Sequence, residues 1–140
     1  MGKTTTSLRL DDDLRESLAV QAEMEGISLT SLVERMLREG LAMEQHPGIV
    51  FKPGRSGRRA ALAGGPDVWA IASALRRMSG TEAEQIAALA QEFGIHERQI
   101  AIALNYAATH ADEIDARVRL NDQAADEAER AAENLKHLFA

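Results

Sequence analysis

Residues 4–10 at the start of this 140-residue chain read TTTSLRL, and three aspartates at positions 11–13 follow them. The alternation of polar and apolar side chains predicts one short β-strand, and no partner strand lies near it in the sequence. A lone strand leaves a row of unpaired N–H and C=O groups. The simplest partner is the same strand of a second copy, and two such strands form an antiparallel ribbon that fits the DNA major groove. The segment therefore predicts a homodimer that reads double-stranded DNA.

The two faces of this strand differ in chemistry. Leu8 and Leu10 share one face with Thr6. The opposite face is polar and suited to base edges, because arginine pairs with guanine and hydroxyl groups bond to several bases. The predicted base-contacting residues are Thr5, Ser7 and Arg9.

Two amphipathic helices follow the strand. Asp11 or Asp12 caps the first helix, and Gly26 ends it. Ser28 begins the second helix, which ends before His46. One strand and two helices in about 45 residues cannot cover their own apolar face, so this unit also predicts a dimer.

These features resemble the ribbon-helix-helix family of repressors (Arc/MetJ/CopG-like) over residues 4–43. The resemblance rests on the alternation TSLRL, the acidic cap and the turn Gly26-Ile27-Ser28. It implies that the outward strand residues read bases and that the N-terminus of the second helix binds a phosphate, for which free N–H groups and the helix dipole give a physical reason. The implied phosphate contacts are Ser28 and the amides of Leu29 and Thr30, with Lys3 beside the strand.

Charge is unevenly distributed along the chain, whose net charge is −6. Residues 1–45 carry a net charge of −4, residues 46–78 carry +5, and residues 79–140 carry −7. The middle segment is therefore suited to phosphate, and the C-terminal segment repels it. Since the strand has few basic neighbours, several dimers side by side are one way to strengthen binding to DNA.

The middle segment begins with a predicted β-hairpin. Residues 49–52 and 58–62 are the strand candidates, and a turn rich in Gly and Pro joins them. The arginines of this hairpin, namely Arg55, Arg58 and Arg59, contact the DNA backbone or belong to a solvated turn; both interpretations stay open.

Helices are predicted for the rest of the chain. The first covers residues 67–78, with Pro66 in its first turn, and Thr81 and Glu84 then form a capping box for a helix that runs to Phe93. Gly94 ends that helix, His96 or Glu97 opens the next, and one long helix extends from Asp112 to near His137.

The spacing of Ala90, Gly94, Ile95 and Ile100 is typical of a helix-turn-helix. With the upstream hairpin, residues 46–120 resemble a winged helix-turn-helix domain of bacterial antitoxins that accompany PIN-type ribonuclease toxins (VapBC-like). The segments that carry the likeness are HPGIVF at 46–51, GPDVW at 65–69 and ALNYA at 103–107. Either Arg98 and Gln99 contact bases, or the domain docks onto a protein; both alternatives remain.

The long terminal helix is acidic, amphipathic and rich in alanine. The resemblance implies that it lies over the toxin, where an arginine can enter a carboxylate cluster and displace a divalent cation. The candidate partner-binding residues are Arg117, Arg119 and Arg130. A solvated helix or a contact between two copies is the alternative for each of them.

The sequence predicts neither an enzyme nor a cofactor. The chain has no cysteine, its four histidines lack zinc-ligand spacing, and Gly64-Gly65-Pro66 lacks the lysine of a phosphate loop. No apolar run approaches a membrane span, and the N-terminus does not resemble a signal peptide. A cytoplasmic location is expected.

The predicted fold is mainly α. It comprises a ribbon-helix-helix domain at 1–45, a hairpin with a helix-turn-helix-like domain at 46–111, and a C-terminal helix at 112–140. The predicted function is a dimeric repressor that is also the antitoxin of a toxin–antitoxin module and regulates its own operon. The alternatives are a stand-alone regulator or DNA-organising protein without a toxin, and an adaptor that touches no nucleic acid.

Overall fold

The computed structural model describes residues 2–55 and 57–140 and confirms a mainly helical protein with one small antiparallel sheet. The chain divides into two compact units, residues 1–41 and residues 42–140. In chain order the elements are α1 (Asp12–Glu25), α2 (Leu29–Gln45), β1 (Ile49–Lys52), β2 (Arg59–Leu62), α3 (Val68–Leu75), α4 (Glu82–Phe93), α5 (Glu97–Thr109) and α6 (Ala111–Leu138).

The first unit is a helical hairpin whose helices end at the predicted residues. Asp11 occupies the N-cap position of α1, but its side chain makes no capping hydrogen bond. Gly26 ends the helix at φ +69°, a left-handed conformation that glycine adopts at little cost, and the Ile27 N–H donates to the Ala22 carbonyl at 3.0 Å. Ser28 Oγ accepts the Ser31 N–H at 3.0 Å and so caps α2. The turn between the helices therefore takes only three residues.

An arginine–carboxylate pair joins the end of α1 to α2. Arg35 Nη1 and Nη2 donate to the two oxygens of Glu25 at 2.7 and 3.0 Å, a bidentate arrangement. The hydrogen bond to Glu25 raises the pKa of the Arg35 guanidinium above its ordinary value, although burial acts in the opposite direction. The pair therefore fixes the angle at which the chain turns from one helix into the next.

Residues 2–10 carry neither helix nor strand in the single chain, and their side chains are exposed. A β-ladder needs a second strand, and the predicted partner is another copy of the chain. The intermolecular ribbon therefore stays a prediction.

The second unit opens with the predicted hairpin, which the structure confirms. Strands β1 and β2 pair antiparallel, with Ile49 opposite Leu62 and Lys52 opposite Arg59. Asp67 then takes the N-cap position of α3. The prediction that Pro66 lies in the first turn of this helix is wrong. Pro66 precedes the cap, where its carbonyl accepts the Leu62 N–H at 3.0 Å and holds the end of β2.

Helix α3 ends earlier than the sequence predicted, at Leu75 rather than Met78. The Arg77 N–H donates to the Ala74 carbonyl at 3.1 Å, and the Met78 N–H donates to the Leu75 carbonyl at 3.0 Å. These bonds reach back three residues rather than four, so the backbone tightens and the α-helical pattern stops. The apolar periodicity continues past Leu75, and for this reason the sequence-based prediction placed the end of the helix too late.

Helices α4 and α5 are both delimited by reciprocal caps. Thr81 and Glu84 form the predicted capping box of α4, and Gly94 ends the helix at φ +66°. His96 starts α5, because its Nδ1 accepts the Arg98 N–H at 3.0 Å while Gln99 Oε1 accepts the His96 N–H at the same distance. The two helices are thus joined by three residues, and their assignment as a helix-turn-helix stays a prediction.

The core of the second unit lies between α3, α4, α5, the hairpin and the start of α6. Tyr106 is its largest fully buried side chain, and its hydroxyl donates to Glu113 Oε2 at 2.9 Å. The His110 ring stacks on Tyr106 with centroids 4.1 Å apart, and His46 meets both rings edge-on. This aromatic cluster ties the residue after α2 to the junction between α5 and α6.

Helix α6 confirms the predicted long terminal helix. Ile114 and Val118 are buried in the core, whereas every residue from 119 onward is exposed. Residues 119–138, which we call the distal α6 segment, therefore extend beyond the core as a single helix. Among the described residues, no helix combines the length and apolarity needed to cross a bilayer.

Candidate functional site

The predicted base-contacting residues all lie in the N-terminal segment. Thr5, Ser7 and Arg9 are exposed, and so is Lys3 beside them. Lys3 Nζ lies 3.4 Å from Glu34 Oε1, with both side chains largely in water. An exposed pair of this kind contributes little to stability. The pair places the Glu34 carboxylate beside Lys3, which was predicted to contact a DNA phosphate.

The predicted phosphate site lies at the N-terminus of α2. Ser28 and Thr30 are exposed, and Leu29 is half-buried. The Ser28 hydroxyl is already used within the turn, since it accepts the Ser31 N–H and donates to Ser31 Oγ at 2.9 Å. The first amides of a helix have no carbonyl partner within that helix. The backbone amides of residues 29 and 30, rather than the hydroxyl, are therefore the groups that suit an anion here.

The first unit leaves most of its apolar side chains uncovered. Of residues 2–41, only Ala22 and Leu32 are buried. Several large apolar side chains are at least one third exposed in the single chain; these are Leu8, Leu10, Leu14, Val20, Met24, Ile27, Met36, Leu37 and Leu41. Exposure on this scale in so small a unit is typical of an interaction surface.

The hairpin arginines have different surroundings. Arg58 Nη2 donates to the Phe51 carbonyl at 3.3 Å, and Arg59 bonds to the Asp67 carboxylate and, at 2.9 Å, to the Pro53 carbonyl. Arg55 is exposed. Two of the three hairpin arginines therefore brace the hairpin through their guanidinium groups, and Arg55 is left exposed to solvent.

A groove between the hairpin and α6 brings together residues that were predicted for two different functions. Arg117, a predicted partner-binding residue, donates to the Arg58 carbonyl at 3.3 Å. The hairpin groove is lined by Gly54, Arg55, Arg59, Asp67, Trp69, Arg117, Leu120, Asn121 and Ala124. Arg117 is thus part of the joint between the hairpin and α6.

Trp69 and Asn121 had no predicted role, and both line this groove. Trp69 Nε1 donates to Asp67 Oδ2 at 3.1 Å, and the same oxygen accepts from Arg59. No local pattern marks such a cluster, because its members come from β2, α3 and α6. The Asp67 carboxylate is the one signal that sequence offered, as the single acidic residue within residues 46–78.

Helices α4 and α5, which the sequence predicted as a helix-turn-helix, present few groups that suit DNA. Arg98 and Asn105 are exposed on α5, but Glu97 is exposed next to Arg98. Gln99 uses its side-chain oxygen in the cap of α5. Both alternatives for this helix pair therefore stay open.

The remaining predicted partner-binding residues, Arg119 and Arg130, are exposed on the distal α6 segment. Both are surrounded along the helix by carboxylates, with Asp122 three residues from Arg119 and Asp126 four residues from Arg130. Across the described part of the chain, no group of three or more His, Asp or Glu side chains is arranged to hold a metal ion.

Comparison with protein-family models, with curated proteins and with solved structures finds no match to this chain.

Proposed function

We propose that this protein is a dimeric, sequence-specific DNA-binding repressor. The observation that carries the proposal is the uncovered apolar surface of residues 2–41, next to a polar N-terminal segment without secondary structure. A second copy would cover this surface and supply the missing strand at the same time. Dimerisation would thus account for both the uncovered apolar surface and the N-terminal segment without secondary structure.

The energies favour pairing over an isolated unit. Full burial of one Leu, Ile or Met side chain contributes about 1.5–3 kcal/mol. Leu14, Met24, Leu37 and Leu41 are each nearly half exposed or more, so covering them in both copies would contribute several kcal/mol. A helical hairpin with two buried residues lacks a core of its own. Folding of this unit would therefore depend on protomer concentration.

In the proposed complex the ribbon lies in the major groove. Thr5, Ser7 and Arg9 would face the bases, and the amides at the start of α2 would hold a phosphate on each side. The net charge of −4 over residues 1–45 gives little general attraction to DNA. Discrimination between sequences would therefore come from the ribbon, and Arg55 or neighbouring dimers would add backbone contacts.

Arg9→Ala is the variant that tests base reading. The probe is a duplex carrying the region upstream of the protein's own gene. Loss of one good arginine–base contact costs about 1–3 kcal/mol, and the dimer has two. We expect binding to fall at least tenfold, or about 1.4 kcal/mol, in a fluorescence anisotropy titration, while light scattering still reports a dimer. Arg15→Ala, on the exposed part of α1, is the matched control. Equal affinity of the Arg9 variant and the control would rule out reading by the ribbon.

We further propose that the second unit makes this repressor an antitoxin that neutralises a toxin of the PIN ribonuclease type. The support is the exposed distal α6 segment, whose polar side carries Arg119 and Arg130. The test is co-purification of the full chain with the product of the adjacent gene. Arg130→Glu should reduce recovery of that product, and Lys136→Glu is the control of equal charge change. Failure of the unaltered chain to retain the neighbour's product would favour the stand-alone regulator.

A further inference from the structure

The distal α6 segment has an apolar face that is largely exposed, although Leu120 and Ala124 at its start also line the hairpin groove. Leu120, Leu135 and Leu138 are 49%, 55% and 80% exposed. A helix turns by 100° per residue, so these side chains lie on one side of the helix together with three exposed alanines. The arm stripe is the set Leu120, Ala124, Ala128, Ala131, Leu135 and Leu138.

The central spacing of the arm stripe reads the same in both directions. Ala124, Ala128, Ala131 and Leu135 are separated by 4, 3 and 4 positions. A face with this spacing can pack against its own copy in the opposite orientation, as a two-fold interface requires. Antiparallel pairing sets Ala128 opposite Ala131 and Ala124 opposite Leu135. Leu120 of one copy then lies near Leu138 of the other. Small residues meet at the centre, where they allow a close approach of the helices, and large ones meet at both ends.

The charges of the segment also favour the antiparallel orientation. Residues 119–129 contain one arginine and four carboxylates, a net charge of −3. Residues 130–138 contain Arg130, Lys136 and one glutamate, a net charge of +1. Parallel pairing would place the acidic half against itself, whereas antiparallel pairing places it against the basic half.

We infer that the distal α6 segments of two copies of this chain pair antiparallel through the arm stripe, with the two-fold axis between positions 129 and 130. Arg130 lies off the stripe, so its contact with a further protein remains compatible with this pairing. This helix pairing involves only the second unit and does not depend on DNA binding. An apolar face with many alanines pairs weakly by itself, and any other dimer contact would raise its effective concentration.

Disulfide trapping tests the inference directly, because the natural chain contains no cysteine. The variant carries Ala124→Cys and Leu135→Cys in the full chain, two positions that lie about 16 Å apart along one helix and cannot join within a single chain. A disulfide forms only when the two Cα atoms lie within about 7 Å. We expect most of the oxidised protein to run as a covalent dimer on a non-reducing gel and to have twice the chain mass.

The control carries Asp126→Cys and Glu133→Cys. Antiparallel pairing would set these two positions at the same level along the helices, but they lie on the side opposite the arm stripe. This control should stay largely monomeric on the gel. Single Ala124→Cys and Leu135→Cys variants should cross-link much less than the double variant, whereas parallel pairing would cross-link each of them efficiently. Efficient single cross-links, equal cross-linking of the control, or absence of cross-links in the double variant would each overturn the inference. The last result would leave the face to a different protein.

Discussion

Several arginines of this protein bind carboxylate or carbonyl groups of their own unit. These arginines contribute to the fold. Arg35 binds Glu25 at the turn between α1 and α2, and Arg59 binds Asp67 beneath the hairpin. Arg117 donates to the hairpin backbone. Arg9, Arg55 and Arg130 are instead exposed. Residue type alone did not separate these groups, since the distinction depends on which carboxylate or carbonyl the fold brings near.

The contribution of Arg35 can be measured with Arg35→Lys. Lysine keeps the positive charge but cannot make the two parallel bonds to Glu25. We expect a loss of about 1 kcal/mol in the free energy of unfolding, measured with urea. Arg38→Lys, on an exposed position of the same helix, should change stability by much less.

The pH dependence of the Arg35 contribution follows from the direction of its pKa shift. The hydrogen bond to Glu25 raises the pKa of the guanidinium above a value that is already strongly alkaline. A raised pKa gives stability that is present below the unfolded-state pKa and is lost only as pH rises through the folded-state pKa. The arginine itself should therefore add no pH dependence near neutrality. Equal stability losses for the Arg35 and Arg38 variants would contradict the assigned role.

At the scale of elements, local chemistry predicted most boundaries. The caps at Thr81 and Gly94 and the hairpin turn depend on a few adjacent residues, and all three were predicted correctly. The end of α3 was wrong because its last amides bond three residues back, which apolar periodicity does not report. The packing of His46 against Tyr106 and His110 was missed, since it joins positions that are 60 residues apart.

The capping box of α4 provides a test at this scale. Thr81 Oγ1 accepts the Glu84 N–H, and Glu84 Oε2 accepts the Thr81 N–H, both at 3.2 Å. Thr81→Ala removes the first bond and should cost about 1 kcal/mol of unfolding free energy. Thr81→Ser keeps the hydroxyl and should retain most of the stability, and Ser79→Ala controls for a nearby loss of a hydroxyl. A Thr81→Ala variant as stable as Thr81→Ser would show that the cap is dispensable.

For the whole molecule, the two units expose different kinds of surface. The first unit exposes apolar side chains around a polar N-terminal segment, and the second exposes one long helix with the arm stripe. The predicted strand is the feature that a single chain cannot display, because its hydrogen bonds would belong to the proposed dimer. The prediction of a second copy came from the same apolar pattern that the single chain leaves uncovered.

Isotope-filtered NMR on a mixture of labelled and unlabelled full chains tests the proposed ribbon directly. We expect intermolecular contacts among residues 4–10 in an antiparallel pattern, with slow amide exchange across that segment. Mixing must allow the copies to exchange, for example by unfolding and refolding them together. Residues 4–10 without intermolecular contacts, in a chain that light scattering reports as a monomer at the same concentration, would rule out the ribbon dimer.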